Sequence, residues 1–412
     1  TITNNADPFE FKVNTGTPVN TVVTFTCTVT DGAYTNTFIF QATVNVDYIN
    51  ITTNDLWTTA TSKGKIGWND DGGSVGLGFT YNNVNYSAEG GFLVGKSGTQ
   101  VSDCVRDATT PAADFTPVNY ITETVPSVFS EFDLSGKFND APASPTMNLL
   151  ITHKEYSWST AGNRKYVIFE YLIKNNGSTA HNNLYGGIFE DFDIDGTTFA
   201  QNMGNYDAAN KMGYIYQPGS IYCGVKLLTA TAPPNCYLLD NTAGGGGGVD
   251  ANTGGFVTAE KYTALSTQRL TAGPADEMLV MSSGPFSVAA GDTAKIAFAL
   301  IVGDDLADLQ TSAVNAQIMY DGFLTLSSNE SMPQNSLSVY PNPAQNMLSV
   351  DFGSNVQNGI VAVYNSLGQE VMNVKVTGTK TTLSTDKLPN GNYFCKLISD
   401  NKTSVKKFVV QK

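Results

Sequence analysis

The chain has 412 residues, enough for two or three domains with sizeable cores. Only 15% of them are charged and the formal net charge is −14, which argues against nucleic acid as a partner, because a phosphate backbone needs a basic footprint. No run of about 20 apolar residues exists, so no transmembrane helix is expected.

The acidity is uneven. From Ser331 to Lys412, eight lysines face Asp351, Glu370, Asp386 and Asp400, a net of +4, so the remainder carries −18. An asymmetry of this size marks separate modules. The five cysteines (Cys27, Cys104, Cys223, Cys236, Cys395) form no zinc spacing. Cys223 and Cys236 flank the turn-rich "GVKLLTATAPPN", which leaves two readings: a disulfide closing a hairpin loop, or free buried thiols.

Taken in chain order, Thr1 opens in β-like sequence without a leader. The expectation is that an export signal has been removed or that a longer protein precedes this piece. In "VVTFTCTVTDGAYTNTFIFQATVNV" (22–46), Phe25, Cys27 and Val29 alternate with threonines around a "DG" hairpin turn. Residues 1–48 therefore read as the end of a truncated β-sandwich. Residues 49–322 read as one large β-rich domain of short strands. Within it "KYVIFEYLIKN" (165–175) is apolar on both faces and suits a central buried strand, and "TAGGGGGVD" (242–250) suits a flexible loop. A single helix is expected near 305–320, with Asp305 as N-cap and Leu306, Leu309, Ala313, Ala316 and Tyr320 on one face. A polar linker follows at 323–336.

After the linker come seven alternating runs, "SLSVY", "MLSVDF", "IVAVYN", "EVMNVKV", "TTLST", "NYFCKLI" and "SVKKFVVQ". Their count and spacing fit a small immunoglobulin-like sandwich over 337–412. The fold class expected is thus all-β, with tandem β-sandwich domains: a large central one with one helix and a small C-terminal one.

"YPNPAQNMLSV", "VAVYNSLGQEV", "LSTDKLPNGNYFCKLI" and the terminal "KKFVVQK" resemble, in order and spacing, the type A C-terminal sorting domain of type IX secretion cargo from Bacteroidota. The resemblance implies export to the cell surface or the extracellular medium. It also implies an outer-membrane translocon, a shuttle protein and a sortase as partners. The sorting elements it implies are Tyr340, Pro341, Asn342, Pro343, Gly368, Gly391, Tyr393, Lys406, Lys407 and Lys412. A lysine-decorated edge that resists aggregation is the competing reading of those lysines.

The central domain offers one metal candidate. In "GGIFEDFDIDGTT" (186–198), Asp191, Asp193 and Asp195 before Gly196 follow the opening of a calcium loop, but position twelve is Asn202 rather than glutamate. On a straight strand Asp191 and Asp195 would stand ~13 Å apart, too far for oxygens sharing one ion. Two readings stay open: Ca2+ held by the three aspartates on a chain that curls before Gly196, or a solvated strand face.

Catalytic motifs are missing from the sequence. His153 and His181 are the only histidines, and no G-x-S-x-G elbow is present. Glu190, Asp191, Asp70 and Asp71, with Trp68 beside "NDDGG", are the carboxylates a glycosidase could draw on, although the same residues suit an ordinary turn and core.

A second resemblance covers 1–325. "SKGKIGWND", "EGGFLVGKSGTQVSDCVRD", "EDFDIDG" and "IAFALIVGDDLADLQTSAVNAQIMYDG" look like the region preceding the sorting domain in large secreted subtilisin-like (S8) proteins. It implies a catalytic domain N-terminal to Thr1 and no catalysis in this chain. The leading expectation is therefore a non-catalytic region of a multidomain type IX cargo. The alternative is a calcium-stabilised adhesin or glycan-binding surface protein, with a surface glycan as its partner.

Overall fold

Period-two alternation dominates the chain, and in the computed structural model the strands it forms among the described residues pair antiparallel. The structure describes residues 11, 13–14, 17–108, 110–324, 337–365, 370–399 and 402–412. They divide into two compact units, Thr1–Ala316 and Gln317–Lys412.

The strands Thr21–Asp31 and Tyr34–Val44 pair from Asp31↔Tyr34 to Thr21↔Val44, forming a two-stranded sheet of their own. Gly32 sits at the first position of the two-residue turn with φ +59°, a conformation that favours glycine. Phe25 stacks on its register partner Phe40 at 5.0 Å, while threonines line the opposite face.

Most of the first unit is two large sheets packed face to face. The nine-stranded sheet runs Thr116–Glu123, Phe132–Asn139, Leu149–Ser157, Tyr166–Asn175, Thr293–Gly303, Tyr222–Leu227, Met212–Tyr216, Asn202–Asp207 and Thr271–Ala275. The strand expected to be central and buried is Tyr166–Asn175, with neighbours on both sides. The ten-stranded sheet is built around Pro234–Asp240, Glu277–Val288, His181–Phe192 and Ser87–Ser97. Phe92 of this sheet stacks on Tyr171 of the other at 4.1 Å. Gly186 permits close approach of the sheets: a Cβ there would lie 2.5 Å from the Ile296 side chain.

The ten-stranded sheet is buried on its other face as well. Leu93, Phe189, Met278 and Val280 lie beneath Val249, Ala251, Phe256, Ala264 and Leu265. The glycine run thus packs against the sheet rather than swinging free. A Cβ on Gly247, where φ is +69°, would meet the Tyr237 hydroxyl at 2.5 Å, and that hydroxyl donates to the Gly247 carbonyl at 2.8 Å.

In the second unit the seven runs merge into five strands: Ser338–Tyr340, Met347–Asn365, Glu370–Ser384, Gly391–Ser399 and Lys402–Val410. "MLSVDF" and "IVAVYN" are two parts of one long strand. Register shifts between Asp351, Val356 and Gly359 break its ladder with Glu370–Ser384, and irregularities of this kind bend sheets. Leu348, Val350, Val361, Val363, Cys395, Phe408 and Val410 form this unit's core.

The helix expected near 305–320 forms at Leu306–Met319, where Asp305 Oδ1 accepts the Asp308 N–H at 2.8 Å. Leu309, Ala313 and Ala316 are buried as the spacing requires, and Leu306 is half-buried. A second helix, Thr258–Ser266, departs from the single-helix expectation. Its nine residues are too few to carry a periodic signal, and tertiary contacts hold it. Glu260 accepts the Val257 and Asp250 amides at 2.9 Å each, and Lys261 reaches down to Asp103 at 2.8 Å with both side chains buried. Burial pushes the Asp103 carboxyl up to about 6 while Lys261 pulls it down.

Replacing Lys261 by Met leaves Asp103 buried without its cation, and an uncompensated buried charge costs about 3–5 kcal/mol. Calorimetric unfolding of the full chain should show that loss for Lys261→Met. A loss below about 1 kcal/mol would mean that the pair does not anchor the helix.

Candidate functional site

The register of the strands His181–Phe192 and Glu277–Val288 builds the acidic centre. Asp191 pairs with Met278, so one step beyond the ladder Asp193 falls opposite Asp276. One carboxylate oxygen from each of Asp191, Asp193 and Asp276 lies within 4.8 Å of the others. Asp191 is only 2% exposed, and the other two are half-buried.

Each flank of the cluster is fixed by a polar partner. Arg106 Nη2 bonds Asp191 Oδ2, while Arg106 Nε lies 2.7 Å from Glu89 Oε2. Asn241 Nδ2 donates to Asp276 Oδ2 at 2.8 Å, and Asn241 Oδ1 accepts from Arg106 Nη1 at 3.3 Å. The second oxygens, Asp191 Oδ1 and Asp276 Oδ1, are buried and without a hydrogen-bond partner among the described residues. Burial raises the Asp191 carboxyl to about 7 even though Arg106 opposes it. Burial and the Asp193 charge raise Asp276 to about 6, and Asp193 itself is raised by burial.

Asp195 is not part of this centre. The strand ends at Phe192, and Asp195 turns outward with φ +59°, exposed, its carboxylate accepting from Thr198 Oγ1 at 3.1 Å. The structure therefore joins Asp191 and Asp193 from the sequence motif to Asp276, which lies far along the chain. Nor is Asp191 on a solvated face: it lies on the side covered by Phe256 and the helix Thr258–Ser266. Asp276, Arg106 and Asn241 had no sequence signal, because only the strand register brings them together.

Of the carboxylates open to a glycosidase reading, Asp70 and Asp71 bond to groups around their own turn, whereas Glu190 and Asp191 each use one oxygen. Asp70, Asp71 and Trp68 line a cavity of about 240 Å³ with Lys65, Glu89 and Arg106. Asp70 accepts the Ser74 and Val75 amides, Asp71 pairs with Lys65, and Trp68 donates to the Ser87 carbonyl. Glu190 projects to the opposite face of its strand from Asp191 and accepts from Ser87 Oγ at 3.1 Å. His153 is buried against Glu155 at 2.7 Å, and His181 bonds the Met147 carbonyl at 2.7 Å.

The disulfide reading of Cys223 and Cys236 is corrected, since both thiols are free and buried. Their strands do not form a hairpin: Tyr222–Leu227 belongs to the nine-stranded sheet and Pro234–Asp240 to the ten-stranded one. Facing sheets stand ~10 Å apart, beyond the usual Cα separation of a disulfide. Cys236 Sγ instead fills the space over Gly213, where a Cβ would lie 2.6 Å away.

In the C-terminal unit, the segments carrying the sorting motif converge at one end. Tyr340, Pro341, Asn342 and Pro343 form an exposed corner, and Asn342 Oδ1 accepts the Val409 N–H at 2.8 Å. The Ala344 N–H donates to the Val409 carbonyl and its carbonyl accepts from Gln411. Gly391 opens the strand Gly391–Ser399 with φ +158°. Tyr393 stacks on Phe408 and donates its hydroxyl to the Pro389 carbonyl at 2.9 Å. Lys412 closes the end, its ammonium donating to the Asp386 and Leu388 carbonyls and its amide to Asn390 Oδ1. Lys406 and Lys407 are exposed on the strand Lys402–Val410. Gly368 lies outside the described residues.

Burial pushes the Cys104, Cys236 and Cys395 thiols up to about 12 and Cys223 well above its ordinary range, so the reactive thiolate is scarce at pH 8. Iodoacetamide at pH 8 without reductant should alkylate the native chain once, at half-buried Cys27, and the denatured chain five times by intact mass. Three adducts on the denatured chain would restore the disulfide.

Residues 338–411 match the family described as the secretion system C-terminal sorting domain. No curated protein matches the chain. Similar solved structures include a DUF3244-family protein with an immunoglobulin-like β-sandwich fold from Bacteroides vulgatus, 12% identical, covering 20% of this chain and 93% of that one with a TM-score of 0.18. A polysaccharide lyase is 10% identical, covering 89% of this chain and 46% of its own with a TM-score of 0.29, so this chain spans about half the lyase's length. With a sorting domain at its C-terminal end, the protein is a type IX secretion cargo, exported across the outer membrane to the cell surface or the extracellular space.

Proposed function

We propose that the chain is the non-catalytic C-terminal region of a multidomain cargo. In this reading residues 337–412 engage the shuttle, translocon and sortase, and residues 49–322 are the freight that accompanies a preceding peptidase domain. The observation that carries the proposal is the convergence of the corner 340–343, the loop 386–391 and the terminal Lys412 at one end of a unit with its own core. Such a unit can present a recognition surface whatever precedes it.

The non-catalytic part rests on how the hydrolase-type residues are used. Among them, Asp70 organises a turn, Asp71 pairs with Lys65, and each histidine is buried and holds one bond within the fold. Polar groups committed in this way hold structure and are not free for proton transfer in a cleft.

Lys406 and Lys407 are exposed, so exchanging them for glutamate reverses local charge without disturbing the core. The double variant Lys406→Glu/Lys407→Glu should keep its circular dichroism and melting temperature yet accumulate in the periplasm. Cell fractionation with surface protease digestion reads the outcome, and undiminished surface delivery would contradict the role given to these lysines.

A further inference from the structure

We infer that Asp191, Asp193 and Asp276 form a binding site for one calcium ion, which ties the end of the strand His181–Phe192 to the entry of the strand Glu277–Val288. The ligand-facing observation is separate from the acidic clustering. Asp191 is 98% buried, its Oδ2 is taken by Arg106, and its Oδ1 has no partner among the described residues. Asp276 is half-buried, with Oδ2 held by Asn241 and Oδ1 buried and without a partner among the described residues. The strand register directs both carboxylates to the point where Asp193 joins them, within 4.8 Å.

That spacing fits calcium. Oxygens bound at about 2.4 Å to one ion lie up to ~5 Å apart, whereas the smaller Mg2+ demands tighter octahedral geometry. Half-buried Asp193 and Asp276 leave an open side for the remaining water ligands. Charge points the same way, since Arg106 pairs with Glu89 and Asp191 while Asp193 and Asp276 add two further carboxylates to the cluster. Arg106 and Asn241 act as the outer support that orients ligating carboxylates. With three protein carboxylates and the rest water, affinity belongs with extracellular calcium modules, a Kd of roughly 10⁻⁴–10⁻³ M. An ion bound so weakly is taken up only where free calcium is high, which suits an exported protein.

The test uses the full chain stripped with EDTA and calcium itself as probe. At 10 mM calcium the melting temperature should rise by about 2–4 °C, and equilibrium dialysis should find one ion per chain. Asp276→Asn keeps the shape and the Asn241 contact; it should stay folded by circular dichroism while losing both the shift and the bound ion. Asp195→Asn should retain both. The proposal is overturned if the stripped wild type binds no calcium, if Asp276→Asn binds it undiminished, or if Asp195→Asn loses it.

Discussion

The pairing of the strands His181–Phe192 and Glu277–Val288 is the constraint on which the first unit depends. A slip of one residue would turn every side chain of a strand to the other face. Here the inner face needs Ile188, Phe192, Leu279 and Met281 for the inter-sheet core, while the outer face needs Phe189, Met278 and Val280 beneath the helix Thr258–Ser266. Because both faces are buried, slippage in either direction drives apolar side chains into the wrong environment. The same register carries Asp193 to Asp276 once the ladder ends. The acidic centre is therefore a by-product of core packing, held in place by far more apolar surface than its own polar contacts could offset.

Much of this was legible from the residue pattern, and the rest failed for identifiable reasons. Alternation located the strands, and Asp305 with the Leu309, Ala313 and Ala316 spacing located the longer helix. Asp191 and Asp193 were recognisable because they lie two residues apart on one face. Asp276 was not, since sequence records neighbours along the chain and only pairing records neighbours across it. Asp195 misled because a regular D-x-D-x-D spacing says nothing about a chain that leaves the strand into a left-handed turn. Cys223 and Cys236 misled similarly: their nearness in sequence hides a crossing from one sheet to the other. The glycine run reads as entropy in the sequence and serves close packing against Tyr237 in the fold.

The C-terminal unit shows a different economy. Its hydrophobic core is small, and its exposed corner, loop and last residue are tied together by backbone and amide bonds rather than by bulk. Lys412 donates to two carbonyls through one ammonium, which fixes it against the loop 386–391. The unit's net charge is positive, whereas that of the first unit is negative, an asymmetry typical of separate modules.

The most direct measurement is an anomalous diffraction map from crystals grown with calcium and then exchanged for a lanthanide. A single strong peak is expected about 2.3–2.6 Å from Asp191 Oδ1, Asp276 Oδ1 and one oxygen of Asp193. A peak centred on the loop around Asp195, or three aspartate carboxylates splayed apart with no ion between them, would contradict the register-built centre.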